Sequence, residues 1–262
     1  MKTQPIRGIG TAFRTLTIIP WPFKESKDLS SSLPWFPFVG LILGLILYVV
    51  AFIWIRIVLR EWPEGGAVII LTAQVILTRG LHLDGLADWA DAIGGHHERE
   101  RRLTIMKDSH LGTFGVLALV IVLFIKWVAI NRLILTGSFI WLLPVLIISR
   151  GMMVELITTM PYARAGEGMA QPFVRGASTR HRVLTHTFCL CACLFFSPAG
   201  VALFGMGWMI TRLLGISFQR SFGGITGDLL GMNNEIVEMI LLMICALPGN
   251  LILRYTDWSW VF

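Results

Sequence analysis

An all-α, polytopic membrane bundle is the fold class this sequence predicts, and three observations predict it: repeated apolar runs, sparse charge, and an uneven sharing of Lys and Arg among the loops. A bilayer core about 30 Å thick takes roughly 20 apolar helical residues to cross, and the 262-residue chain offers such runs several times. Hydrophobic residues make up 55% of the chain and charged residues 15%, with a mean hydropathy of +0.71. Little is left for a separate soluble domain, so one membrane-embedded domain over residues 1–262 is the simplest division.

Taken in order, the predicted spans are about Trp35 to Arg56, Gly65 to Asp91, Gly112 to Ile130, Phe139 to Met160, Val183 to Ser197, Gly200 to Ser217 and Ile236 to Leu253, about seven in all. Ser197-Pro198-Ala199-Gly200 reads as a hairpin break between two of them. Residues 1–30 are basic but lack an uninterrupted apolar run followed by a small-residue cleavage site, so they are expected along the cytoplasmic surface rather than removed as a signal peptide. Gly40 and Gly44 form a GxxxG packing signal in the first span. No internal repeat supports a transporter built from two inverted halves.

Cytoplasmic loops are enriched in Lys and Arg, which sets the expected orientation. With the N-terminus inside, that side receives Lys2, Arg7, Arg14, Lys24 and Lys27, then Arg99, Arg101, Arg102 and Lys107, then Arg164, Arg175, Arg180 and Arg182, then Arg220. The other side receives Arg60 offset by Glu61 and Glu64, then Arg132 and Arg254. The polar loops 92–111, 161–182 and 218–235 thus share the cytoplasmic face. The net charge of +6 and pI near 9.5 are scattered through loops rather than gathered on one face, which excludes nucleic acid as a partner. Cys189, Cys191, Cys193 and Cys245 lie in apolar stretches without metal or disulfide spacing.

The chemistry concentrates at the end of the second span. At about 100° per helical residue, Asp88 and Asp91 fall about 40° and 20° either side of Asp84, so three carboxylates share one face. Each Asp at a bilayer centre costs roughly 2.5–3.5 kcal/mol, so the trio is expected at a water boundary, in a wet cavity, or around a cation. Carboxylates one turn apart suit Mg²⁺, which leaves coordination sites to water and substrate phosphate. The alternative is a solvated acidic helix end paired with Arg102 or Lys107. Gly85, Gly94 and Gly95 weigh against it by baring backbone to a ligand.

Residues 101–115 combine Arg101, Arg102, Lys107 and Asp108 with Gly112 and Gly115, a pattern for holding phosphate at a helix start, or simply a basic membrane anchor. Asp108 is a further candidate metal ligand. Arg150, mid-span, is a candidate by its depth; Glu155 lies about 140° around the helix from it, so a phosphate or an Asp on another helix is the expected partner. Lys126 is expected to snorkel outward. Arg164 and Glu167 stand out in the glycine-rich loop 161–182. Asp228 reads equally as a substrate contact or a helix cap. His82 projects about 160° from Asp84 and is expected to pack rather than to join the acids. His96 and His97 have no evident partner. No GxSxG, HExxH, Walker or GxGxxG element occurs, which removes serine hydrolases, zincins and nucleotide folds.

The segments GLHLDGLADWADAIGG, IMKDSHLGTFGVLAL, PYARAGEG and FGGITGDLLGMNNEIVE, with FRTLTIIPWP and LPWFPFVGLILG near the N-terminus, resemble the adenosylcobinamide-GDP ribazoletransferase (cobalamin synthase) family over nearly the whole chain. The resemblance implies a Mg²⁺-dependent, multi-pass enzyme of the bacterial inner membrane acting late in vitamin B12 synthesis. It would join adenosylcobinamide-GDP to α-ribazole or its 5′-phosphate and release GMP. The family's acidic signature falls on Asp84, Asp88 and Asp91, and its second signature on Lys107 and Asp108. Expected associates are the lipid bilayer, with a second copy of the chain or other cobalamin-assembly enzymes as further candidates. Rival readings are a transporter with an acidic cation path, a phospholipid enzyme like the CDP-alcohol phosphotransferases, whose DGxxAR and GxxxDxxxD pattern is missing here, and a scaffold for other corrinoid enzymes.

Overall fold

The computed structural model describes residues 4–22, 25–58, 61–95, 98–108, 110–166 and 168–249. Expectations for Glu167, His96, His97, Lys2, Lys24, Arg60 and Arg254 lie outside the described residues. Eleven α-helices follow one another among the described residues: α1 (Gln4–Leu16), α2 (Phe36–Val58), α3 (Pro63–Thr78), α4 (Leu81–Ile93), α5 (Arg99–Ile105), α6 (Thr113–Thr136), α7 (Leu142–Thr159), α8 (Gln171–Gly176), α9 (Thr179–Phe196), α10 (Pro198–Phe222) and α11 (Gly227–Ala246). No strand occurs among them.

The centre of the bundle is α7. Its residues from Leu142 to Ile157 are all buried, as suits a largely apolar helix whose few charges, Arg150 and Glu155, have partners on neighbouring helices. The helices α2, α9, α10 and α11 pack around it. Two glycines bring α2 close: a Cβ on Gly40 would meet the Leu146 carbonyl, and one on Gly44 would lie 2.9 Å from the Leu143 Cα. The GxxxG signal therefore acts in packing, as its spacing predicts. Outward-facing apolar side chains such as Phe52 and Ile57 on α2, Phe124 on α6 and Leu213 on α10 are exposed, a surface suited to lipid.

Five helical stretches are long and apolar enough to cross a membrane: Leu29–Val58, Thr113–Thr136, Phe139–Thr159, Pro198–Phe222 and Gly227–Ala246; the pair α3 and α4 makes a sixth if taken as one bent span. The described residues thus hold five or six such spans rather than the expected seven, and the last predicted span, to Leu253, runs past them. The stretch expected from Val183 belongs to α9, whose first turns carry Arg180, His181, Arg182 and His186 and dilute its apolar character. The span expected from Gly65 to Asp91 is broken by 89° between α3 and α4. The break is local: Arg79 (φ 55°) and Gly80 (φ 65°) both take left-handed conformations. Their N–H groups close the end of α3 by donating to Ile76 O at 3.1 Å and Val75 O at 2.9 Å.

Inside the bundle lies a balanced set of charges. Lys126 on α6 sits 2.8 Å from Glu235 and 2.6 Å from Glu238 on α11. Glu238 also pairs with Arg150 on α7 and accepts a hydrogen bond from Gln74 on α3. All five side chains are buried. Two expectations are corrected: Lys126 does not snorkel, and Arg150 meets a glutamate rather than a phosphate or an aspartate. Opposite charges at hydrogen-bonding distance are what permits their burial.

Candidate active site

The bend at Arg79-Gly80 aims α4 across the start of α11. Contact there is tight, because a Cβ on Gly85 would lie 2.5 Å from the Asp228 carbonyl oxygen and one on Gly231 would lie 3.0 Å from the His82 Cα. Gly85 thus serves helix packing, which corrects the expectation that it bares backbone to a ligand, and Gly94 is likewise filled by the Phe114 ring. One result is that Asp228 joins the acidic face of α4. Asp84 is exposed and Asp88 half-buried. Asp84, Asp228 and Asp91 all bear electrostatically on Asp88, and Arg164 is the opposing cation.

Asp228 is held from two sides. Arg164 Nη2 donates to its Oδ2 at 2.8 Å, and Thr226 Oγ1 donates to the same oxygen at 3.3 Å. The cap of α11 is Thr226, whose hydroxyl accepts from Leu229 N at 3.3 Å. That settles which residue caps the helix and leaves the Asp228 carboxylate with its arginine.

Asp91 has a task that its spacing does not disclose. Its two carboxylate oxygens accept from the backbone N–H groups of Gly112 and Gly115, each at 2.8 Å. It therefore caps α6, where negative charge meets unpaired N–H groups and the positive end of the helix dipole. A Cβ on either glycine would collide with this carboxylate. The phosphate cradle expected at this helix start is filled by the chain's own acid.

The loops predicted to share one face do meet. Tyr162 and Ile225 form an isolated parallel bridge, with Ala163 N donating to Ile225 O and Ile225 N to Pro161 O, both at 2.9 Å. Arg99 Nη2 reaches Ala163 O at 3.2 Å, Arg102 Nη1 reaches Ser221 O at 3.4 Å, and Arg164 also reaches Met106 O at 3.3 Å. Arg102, expected at the substrate, ties the α5 segment to the end of α10 through this bond. Lys107 is exposed. Asp108 is exposed too, paired with the His110 ring at 2.5 Å. The hydrogen bond from His110 holds the Asp108 carboxyl below its ordinary range, and the same bond raises His110. The largest charge effects on Asp88 come from Asp84, Asp228, Arg164 and Asp91 rather than from Asp108.

Beside Asp84 and Asp228 lies a cavity of about 1060 Å³. Leu16, Phe36, Leu119, Leu123, Met153 and Phe173 give it apolar walls. Its polar lining includes Thr11, Thr15, Arg14 and Arg79, with Arg79 anchored to Thr17 O at 3.3 Å. His82 also lines it. The expectation that His82 packs is met, since it is buried, yet it reaches the same cavity as Asp84.

Mg²⁺ keeps several waters and takes one or two carboxylates plus substrate phosphates. The crowded pair Asp84 and Asp88, with Asp228 alongside and open space next to them, fits such an ion. Among the described residues no group of three or more His, Cys, Asp or Glu side chains forms a ready-made metal cage. An open, substrate-completed shell does not need one.

Comparison with known proteins adds the family. The model for cobalamin-5-phosphate synthase matches residues 8–246. The chain belongs to the cobalamin-5-phosphate synthase family. It is an enzyme, a transferase of cobalamin biosynthesis. An adenosylcobinamide-GDP ribazoletransferase of Prosthecochloris aestuarii is 40% identical over 239 residues, covering 89% of this chain and 95% of the relative. One from Chlorobium chlorochromatii is 39% identical over 244 residues (92% and 96%), and one from Syntrophobacter fumaroxidans 37% over 244 residues (90% and 97%). No solved structure matches the chain.

Proposed function

We propose that this family member joins adenosylcobinamide-GDP to α-ribazole or α-ribazole 5′-phosphate, releasing GMP, at an active site facing the cytoplasm in the bacterial inner membrane. The observation that carries this reading is the meeting of Asp84, Asp88 and Asp228 with Arg164 at the edge of a large cavity with apolar walls. Joining two substrates through a phosphodiester needs an anion-handling edge and room for a bulky, partly apolar partner, and both are present.

In the reaction, a ribose hydroxyl of the ribazole attacks the corrinoid-linked phosphorus, the P–O bond to GMP breaks, and GMP leaves with the electron pair. Mg²⁺ held by Asp84 and Asp88 would neutralise charge on the diphosphate. Asp228, fixed by Arg164 and Thr226, orients the attacking hydroxyl and accepts its proton. Arg164 keeps that carboxylate in place and sets positive charge beside the transferring group. Positioning and charge complementarity supply most of the rate in phosphoryl transfer. Asp91 stays outside the ion's shell as the cap of α6, and Asp108 stays at the exposed loop.

The test is direct. Protein in lipid is given Mg²⁺, adenosylcobinamide-GDP and α-ribazole 5′-phosphate, and corrinoid product and GMP are measured by mass. Both should appear in equal amounts, and loss of Mg²⁺ should stop both; a folded preparation that makes neither refutes the reading.

A further inference from the structure

Among the polar groups lining the cavity that the proposed reaction leaves unused is a buried histidine. His82 is 2% exposed and lines the cavity, and its Nε2 has no hydrogen-bond partner among the described residues. A buried N–H without a partner costs stability, so its persistence beside a cavity points to a ligand.

The neighbours of His82 decide which ring nitrogen carries the proton. Asn234 Nδ2 lies 3.2 Å from Glu235 Oε1. A carboxylate accepts only, so the amide nitrogen, not the amide oxygen, faces Glu235. The same Nδ2 lies 3.1 Å from His82 Nδ1, and it has a second hydrogen to give. Glu235 itself is 3.9 Å from His82 Nδ1, beyond hydrogen-bond range. His82 Nδ1 is therefore the acceptor, and Nε2 of the neutral ring bears the hydrogen. Glu235 is in turn fixed by Lys126 at 2.8 Å, so the buried charges behind α4 lock the tautomer.

Resting on the function proposed above, we infer that the apolar part of this cavity receives the base of the acceptor nucleoside and that His82 Nε2–H donates to an in-plane acceptor nitrogen of that base. The chemistry selected is a flat, largely apolar heteroaromatic ring with one unsubstituted ring nitrogen, as in a benzimidazole. Phe36, Met153, Phe173 and the leucines supply the apolar contact. Asp84 and Asp228, lining the same cavity, then lie on the side of the sugar.

The experiment compares α-ribazole with the α-riboside of an indole of the same shape, in which C–H replaces the free ring nitrogen. Binding to the full chain in lipid nanodiscs is read by fluorescence, and turnover by GMP release. On the unsubstituted protein the indole riboside should bind about tenfold more weakly, the effect of one lost hydrogen bond in a dry site. His82→Ala should weaken α-ribazole by a similar factor and erase the discrimination, moving the KM for adenosylcobinamide-GDP less than twofold. His82→Gln, which places an amide N–H near the Nε2 position, should restore part of it. Equal binding of the two ribosides to the unsubstituted protein overturns the assignment without any variant. Discrimination that survives in folded His82→Ala does so as well. Failure to form any corrinoid product from α-ribazole would instead overturn the function itself.

Discussion

Arg164 donates to Asp228 across 2.8 Å, joining a loop to the first turn of α11 between residues 64 apart in the chain. The pair is mostly buried, with side-chain exposures of 13% and 19%, so water screens it less than a surface ion pair. Arg164→Ala should lower GMP release about a hundredfold, in the range seen for loss of one group that places charge in a transition state. Arg164→Lys should recover part of this, since a point charge cannot copy the guanidinium fork that also reaches Met106 O. Steady-state rates on protein with unchanged thermal unfolding check it.

Asp84→Asn and Asp88→Asn each keep side-chain volume and remove one negative charge. Both should cut turnover by about 10²–10³, the order expected for a group that stabilises charge in the transition state, and should shift the Mg²⁺ titration to higher concentration. Near-normal turnover at low Mg²⁺ in both would sink their assignment.

Asp91→Ala should act mainly on stability. Losing a helix cap costs about 1 kcal/mol, and up to about 2, visible as a lower unfolding midpoint in detergent. Gly112→Ala and Gly115→Ala should destabilise as well, because the added methyl meets the Asp91 carboxylate. Asp91→Ala with an intact midpoint and abolished turnover would return it to the chemistry.

Lys126→Met leaves Glu235 without its cation and Glu238 with Arg150 alone. Breaking a buried pair on one side costs about 3–5 kcal/mol, and thermal unfolding followed by tryptophan fluorescence should show it. A smaller loss in the double variant Lys126→Met, Glu235→Gln would show that the cost is the stranded charge.

The acidic face of α4 was legible because helical periodicity alone puts Asp84 and Asp88 on one side, and Gly40 with Gly44 announced a close helix contact in the same way. Asp91 was on that face too, but periodicity cannot say that the start of α6 would come to meet it. The pattern could not reveal the partners of Arg150 and Lys126 either, since these come from α11, far along the chain. One signal was available: Glu235 and Glu238 are three residues apart in an apolar stretch, where unpaired acids are too costly to persist.

By itself, the sequence determined that this is a helical membrane protein with three carboxylates on one helical face and most of its Lys and Arg in loops, because apolar length and side-chain charge are properties of local segments. Only the tertiary structure decided that α3 and α4 part at a right-angled bend, that Asp228 completes the acidic site while Asp91 seals a helix end, and that His82 borders the cavity. Those outcomes depend on which backbones approach closely enough to exclude a side chain, as at Gly85 and Gly231, and such approach is settled by the packing of whole helices.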